Sequence, residues 1–109
     1  IVGHLIKRAV RRKRPFQHIP NFLAGVRSPI DDSFPSLHAG STFAFFTALS
    51  TLDHPWSPAI GLWAIMTSFS RIYLGVHFVS DVLAGMLLGS AFGCSIGLIA
   101  DFISSVSAF

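Results

Sequence analysis

The stretch Ser70 to Asp81, SRIYLGVHFVSD, sets an arginine, a histidine and an aspartate into one of the most apolar parts of the chain. Arg71 lies six positions before His77, and His77 four before Asp81. Residues four apart share a helix face, so the Asp81 carboxylate can reach one imidazole nitrogen of His77. A carboxylate there fixes the tautomer and supports the positive charge that develops when the other nitrogen attacks an electrophile. A second histidine, His38, follows FPS at the expected start of another helix, where free backbone N–H groups attract an anion. Lys7, Arg14 and Arg71 add cationic donors suited to phosphate oxygens. Two histidines, one carboxylate and several cations form a phosphoryl-transfer set that needs no metal. The histidines show neither HxxxH nor HxH spacing, so no metal site and no cofactor is expected.

The elements that must position these groups are apolar. The chain has 109 residues, 51% hydrophobic and 12% charged, with a mean hydropathy of +0.62. Charged residues approach a quarter of an ordinary soluble domain. Three apolar runs stand out, from Ser36 to about Leu52, from Pro58 to about Leu74, and from about Val79 to Ile103. The first two are marginal in length for a hydrocarbon core of about 30 Å, but short helices can end at the interface. The third has no polar stripe at a helical period, which argues against a soluble bundle. Residues 1–15 carry the end of an apolar segment and a basic run closed by Pro15; residues 16–35 form a turn-rich connection. The expected fold is all-α: one membrane-embedded domain over residues 1–109, with about three transmembrane helices. The chain opens within an apolar phrase, so further helices are expected upstream of it.

Gly85, Gly89, Gly93 and Gly97 recur every four residues in the third run. They make a smooth groove for a closely packed partner helix, which could lie upstream. Two crossings separate His38 from Arg71. His38, Arg71, His77 and Asp81 are therefore expected near one membrane surface, with the basic zone beside them and DHPWSP at the other.

Three motifs carry a family resemblance. KRAVRRKRP supplies Lys7, Arg14 and Pro15; PSLH supplies Pro35, Ser36 and His38; SRIYLGVHFVSD supplies Ser70, Arg71, His77 and Asp81. In order and spacing they resemble the signature of the type 2 phosphatidic acid phosphatase superfamily. The resemblance implies a six-helix membrane core, of which this chain would hold about three transmembrane helices, and a lipid phosphatase acting on a phosphomonoester or pyrophosphate without metal. In it His77 attacks phosphorus to form a phosphohistidine, Asp81 orients His77, and His38 protonates the leaving oxygen and then activates water. Lys7, Arg14, Ser36 and Arg71, with the backbone N–H of Leu37, would hold the phosphate oxygens.

Leu37 departs from the family's usual glycine. The N–H survives, but the isobutyl group must avoid the substrate, or the backbone must accept a β-carbon. The same PSLH form occurs in relatives resembling phosphoryl-head-group transferases, so a lipid phosphotransferase is one alternative. A non-catalytic lipid-binding membrane subunit is another. Arg8, Arg11, Arg12 and Lys13 read as a juxtamembrane anchor on anionic lipid. His4, His18 and His54 match no motif, Asp31 and Asp32 read as turn residues, and Cys94 as a packing residue. Partners are then a lipid phosphate and the bilayer, and no nucleic acid, because no soluble module accompanies the basic run. The net charge of +3 is concentrated at the active-site end, where the positive-inside rule favours the cytoplasm. The family resemblance favours the opposite face, and the expectation is a bacterial inner-membrane protein with a periplasmic active site.

Overall fold

The computed structural model describes residues 1–15 and 33–109. His18, Arg27, Asp31, Asp32 and most of the turn-rich connection lie outside the described residues. Four helices follow in order: α1 (Val2–Val10), α2 (Leu37–Thr51), α3 (Ser57–Tyr73) and α4 (Val79–Ser107). No strand occurs among the described residues. The fold is an all-helical membrane-type bundle, with α2 packed between α3 and α4 while α3 and α4 touch little.

Each apolar run forms a helix close to its expected limits. Ser36 caps α2, its Oγ accepting from the Ala39 N–H at 3.4 Å. Pro58 sits in the first turn of α3, where its missing N–H removes no helical bond. α4 runs to Ser107, past the expected end at Ile103, because no glycine or proline interrupts Ser104–Ser107. At about 1.5 Å per residue, α2 and α3 are roughly 22 and 26 Å long and α4 about 43 Å. By length and composition α4 alone, among the described residues, is long and apolar enough to cross a membrane. Leu62, Ile65, Met66 and Phe69 on α3, and Leu87, Ile96, Ile99 and Phe102 on α4, are exposed. An outer surface of that kind suits lipid tails and would be a liability in water.

The glycine stripe finds its partner within the chain. Gly85, Gly89, Gly93 and Gly97 are all buried, and a Cβ at each would strike α2. The facing atoms belong to Ser36 and Gly40, then Gly40, then Ala44 and Thr47, then Ala48 and Thr51. The missing signal was complementarity, since Ser36, Gly40, Ala44 and Ala48 form a second small-residue stripe at the same spacing. On the other side of α2, Phe46 lies against Gly61 of α3 and meets Phe43 edge to face, ring centroids 6.1 Å apart.

The matching order of contacts makes α2 and α4 parallel, as two crossings require. Their N-termini are joined directly, the Ser36 N–H donating to the Asp81 carbonyl at 2.9 Å. Between α3 and α4 the chain turns at Gly75, whose φ of 72° is a conformation that L side chains rarely adopt. The N–H groups of Val76 and His77 both return to the Arg71 carbonyl, at 3.3 Å each. Arg71, His77, Asp81 and Ser36 thus share one end of the bundle.

Candidate active site

His77 occupies the short junction between α3 and α4 and is only 3% exposed. Its Nε2 lies 3.1 Å from Arg14 Nη1, which also donates to the Val76 carbonyl at 2.9 Å. A guanidinium has only donors, so Nε2 must be the acceptor and the ring proton sits on Nδ1. That nitrogen faces Asp81 Oδ2 at 3.7 Å, within ion-pair range but longer than a hydrogen bond. Asp81 is fully buried, and the same Oδ2 accepts from the Phe78 N–H at 2.7 Å, closing the first turn of α4. The ring is therefore presented with a lone pair on one nitrogen and a carboxylate behind the other.

Electrostatics keep that ring neutral. Burial, then the positive charges of Arg14 and Lys7, lower the His77 pKa to about 4; Asp81 pulls it up and Arg71 adds a further downward push. Lys7 projects from α1 and is buried, as is Arg14. Arg71 is partly buried in the last turn of α3. Among the described residues, the buried Arg71 Nε and His77 Nδ1 have no hydrogen-bond partner. Three cations around one neutral imidazole favour a ligand with several anionic oxygens.

The remaining predicted residues lie on the first turn of α2. Ser36 is fully buried. The ring of His38 is exposed at this end, and its carbonyl accepts from Ser41 Oγ at 3.2 Å and Thr42 Oγ1 at 3.0 Å. The isobutyl group of Leu37 lies against Gly3 of α1, its Cγ 3.7 Å from where a Cβ on that glycine would sit. The Leu37 side chain is thus in contact with α1. A cleft of about 290 Å³ adjoins it, lined by Val2, Gly3, Leu37, Ala44, Leu88 and Phe92 among others. His4 borders the cleft, and His54 accepts from the Trp56 N–H at the opposite end of the bundle.

Arg12 departs from its reading as a lipid anchor. Its Nη1 lies 3.0 Å from Asp81 Oδ1 and 2.6 Å from Ser80 Oγ, and its guanidinium stacks over the Phe78 ring at 4.4 Å. Arg11 and Lys13 are exposed while Arg12 and Arg14 turn inward. That alternation is what an extended segment imposes after the left-handed cap at Arg11 ends α1. A period-two reading of RRKR would have found it; the motif spacing alone did not.

The chain is similar to several known proteins. An undecaprenyl-diphosphatase of Sulfolobus acidocaldarius is 36% identical over 92 residues, covering 83% of this chain and 44% of its own. A decaprenylphosphoryl-5-phosphoribose phosphatase of Mycobacterium tuberculosis is 40% identical over 92 residues, covering 84% and 50%. The crystal structure of a transmembrane phosphatidylglycerolphosphate phosphatase from Bacillus subtilis superposes with a TM-score of 0.70 at 28% identity, over 96% of this chain and 53% of that one. The chain thus spans about half the length of the relatives it matches. Residues 1–102 match the PAP2 superfamily, and with the fold and all three motifs in place, the chain belongs to that family.

Proposed function

We propose that this chain is the catalytic part of a membrane lipid phosphatase that works through a phosphohistidine on His77. The observation that carries the reading is the state of that ring: buried, neutral, with Nε2 as acceptor among Lys7, Arg14 and Arg71. A phosphate entering this end draws Arg14 Nη1 from Nε2 onto a non-bridging oxygen, which frees the lone pair. Nε2 then attacks phosphorus as the P–O bond to the lipid breaks, and His38 delivers a proton to the departing oxygen. Asp81 balances the imidazolium charge. In the second step His38 takes a proton from water, the new hydroxide displaces His77 from phosphorus, and inorganic phosphate leaves. Lys7, Ser36, Arg71 and the N–H of Leu37 hold the equatorial oxygens, assisted by the positive end of α2. No step calls for a metal.

The named relatives act on isoprenyl and glycerolipid phosphates, so the substrate class is a lipid phosphomonoester or pyrophosphate at the bilayer surface. Phosphatidic acid, phosphatidylglycerol phosphate, an isoprenyl pyrophosphate and a lipid A phosphate all fit it. The apolar cleft beside Leu37 offers a wall for the start of the lipid chain. Hydrolysis is favoured over transfer because the similar proteins are named as phosphatases. For orientation we favour the periplasmic face of a bacterial inner membrane. The preference comes from the family resemblance: Arg12 turns toward the site beside Lys7 and Arg14, while Arg8, Arg11 and Lys13 stay exposed as the charge that argues for the cytoplasm.

The reading is tested by phosphate release from these four lipids with chelator present. Release of inorganic phosphate from at least one is expected; a requirement for added metal, or transfer of the label to an added lipid acceptor, would contradict it. A second expectation concerns pH. The nucleophile must be neutral, and with its pKa near 4 it stays so through pH 5–8. The His77 limb of kcat/KM should therefore fall near pH 4, whereas an unperturbed histidine would place it near about 6.5. A pH–rate profile, paired with 15N NMR titration of His77, measures this.

A further inference from the structure

Asp81 is a fully buried carboxylate, and a buried charge persists only when it is compensated. Its two oxygens are held by different means. Oδ2 takes the Phe78 N–H at 2.7 Å and faces His77 Nδ1 at 3.7 Å, while Oδ1 takes Arg12 Nη1 at 3.0 Å. Arg12 is itself anchored at several points. Its carbonyl accepts from the Ser33 N–H at 2.7 Å, its guanidinium lies 4.4 Å over the Phe78 ring, and Nη1 reaches Ser80 Oγ at 2.6 Å. An arginine serving only as a lipid anchor would leave its head group at the surface; this side chain is 37% exposed and ends on buried Asp81.

We propose that Arg12 is a positioning residue for the nucleophile, clamping the Asp81 carboxylate so that Oδ2 stays aimed at His77 Nδ1. Two consequences follow from the geometry. With Oδ1 pinned, the carboxylate cannot rotate about Cβ–Cγ, so Oδ2 stays behind the imidazole as Nε2 attacks. The guanidinium charge also offsets part of the carboxylate charge, so Asp81 does less to favour a second proton on the His77 ring before substrate arrives. The groups facing His77 are Lys7 from α1, Arg14 from the segment after it, Arg71 from α3 and Asp81 from α4, with His38 on the first turn of α2 at the same end. Removing the Arg12 side chain leaves the other cations in place; besides its contacts with Ser80 and the Phe78 ring, it changes how Asp81 is held. The inference rests on the reading of His77 as nucleophile.

The test uses Arg12→Ala and Arg12→Lys in the full-length protein in lipid nanodiscs, with an isoprenyl pyrophosphate as probe. For Arg12→Ala, kcat should fall on the order of 10–100-fold, as for other partners that orient a reacting group through a second residue, with KM within about threefold. The midpoint of the His77 15N titration should rise by roughly one pH unit, because an unclamped carboxylate stabilises the imidazolium. Arg12→Lys keeps the charge but loses the fork and the stacking, so its kcat should lie between the two at unchanged KM. If Arg12→Ala does not fold, Arg12→Lys decides alone, and wild-type kcat with a wild-type titration in it would overturn the proposal. A raised KM with unchanged kcat would also overturn it, making Arg12 a substrate ligand. If the wild-type protein releases no phosphate, the lipid-phosphatase reading falls. The titration then decides on Arg12 by itself, and an unmoved midpoint counts against the clamp.

Discussion

Replacing His77 with alanine is expected to cut phosphate release from a lipid pyrophosphate by at least about 10⁴-fold while the protein stays folded. The substitution removes the proposed nucleophile, and the other imidazole at this end, His38, is given the proton transfers in the same proposal. Lys7, Arg14 and Arg71 are cationic donors, and Asp81 is spent on Phe78 and Arg12. Retained folding is expected because α4 keeps its first-turn bond from the Phe78 N–H to Asp81, and α2 keeps its bond from Ser36 to the Asp81 carbonyl. A protein that merely binds lipid phosphate would be indifferent to the change. Turnover and a thermal unfolding midpoint, measured on the same preparation, separate loss of chemistry from loss of structure.

The second large effect lies away from the chemistry. Gly89→Val is expected to destabilise the bundle by about 3 kcal/mol or more, at or beyond the upper end of ordinary overpacking. A Cβ at Gly89 would sit 2.7 Å from the carbonyl carbon and 2.9 Å from the Cα of Gly40, and backbone cannot swing aside as a side chain can. α2 and α4 would have to separate just where their N-termini hold Ser36 against Asp81, so activity should fall with stability. Gly61→Ala is the matched control. Its new Cβ meets Phe46 Cε2 at 2.7 Å, the end of a ring that can turn. Thermal unfolding in one detergent should rank Gly89→Val well below Gly61→Ala; equal midpoints would mean the α2–α4 seam is not the close contact described.

Much of this architecture is readable from the amino acids. Apolar runs bounded by proline and glycine give α2 and α3 nearly to the residue and α4 at its start, while its end lies four residues past the expected Ile103; counting crossings places His38, Arg71, His77 and Asp81 at one end. The partner of the glycine stripe was harder, because Ser36, Gly40, Ala44 and Ala48 look unremarkable until two stripes are set side by side. Arg12 was harder still. Within four consecutive basic residues, charge alone cannot say which side chains turn inward, and the answer depends on α1 ending in a left-handed residue at Arg11. The placement of the Leu37 side chain likewise depends on a contact with Gly3 that is remote in sequence and not signalled by either residue type.

The central claim is that the phosphoryl group passes through His77. It is tested most directly by mixing enzyme with lipid pyrophosphate carrying 32P in its terminal phosphate, quenching in alkali within one turnover, and locating the label by peptide mapping. A phosphorus–nitrogen bond to His77 is predicted, absent in His77→Asn, and discharged to water no more slowly than steady-state turnover. Full turnover with no label on His77 at any time, or label confined to another residue, would contradict it.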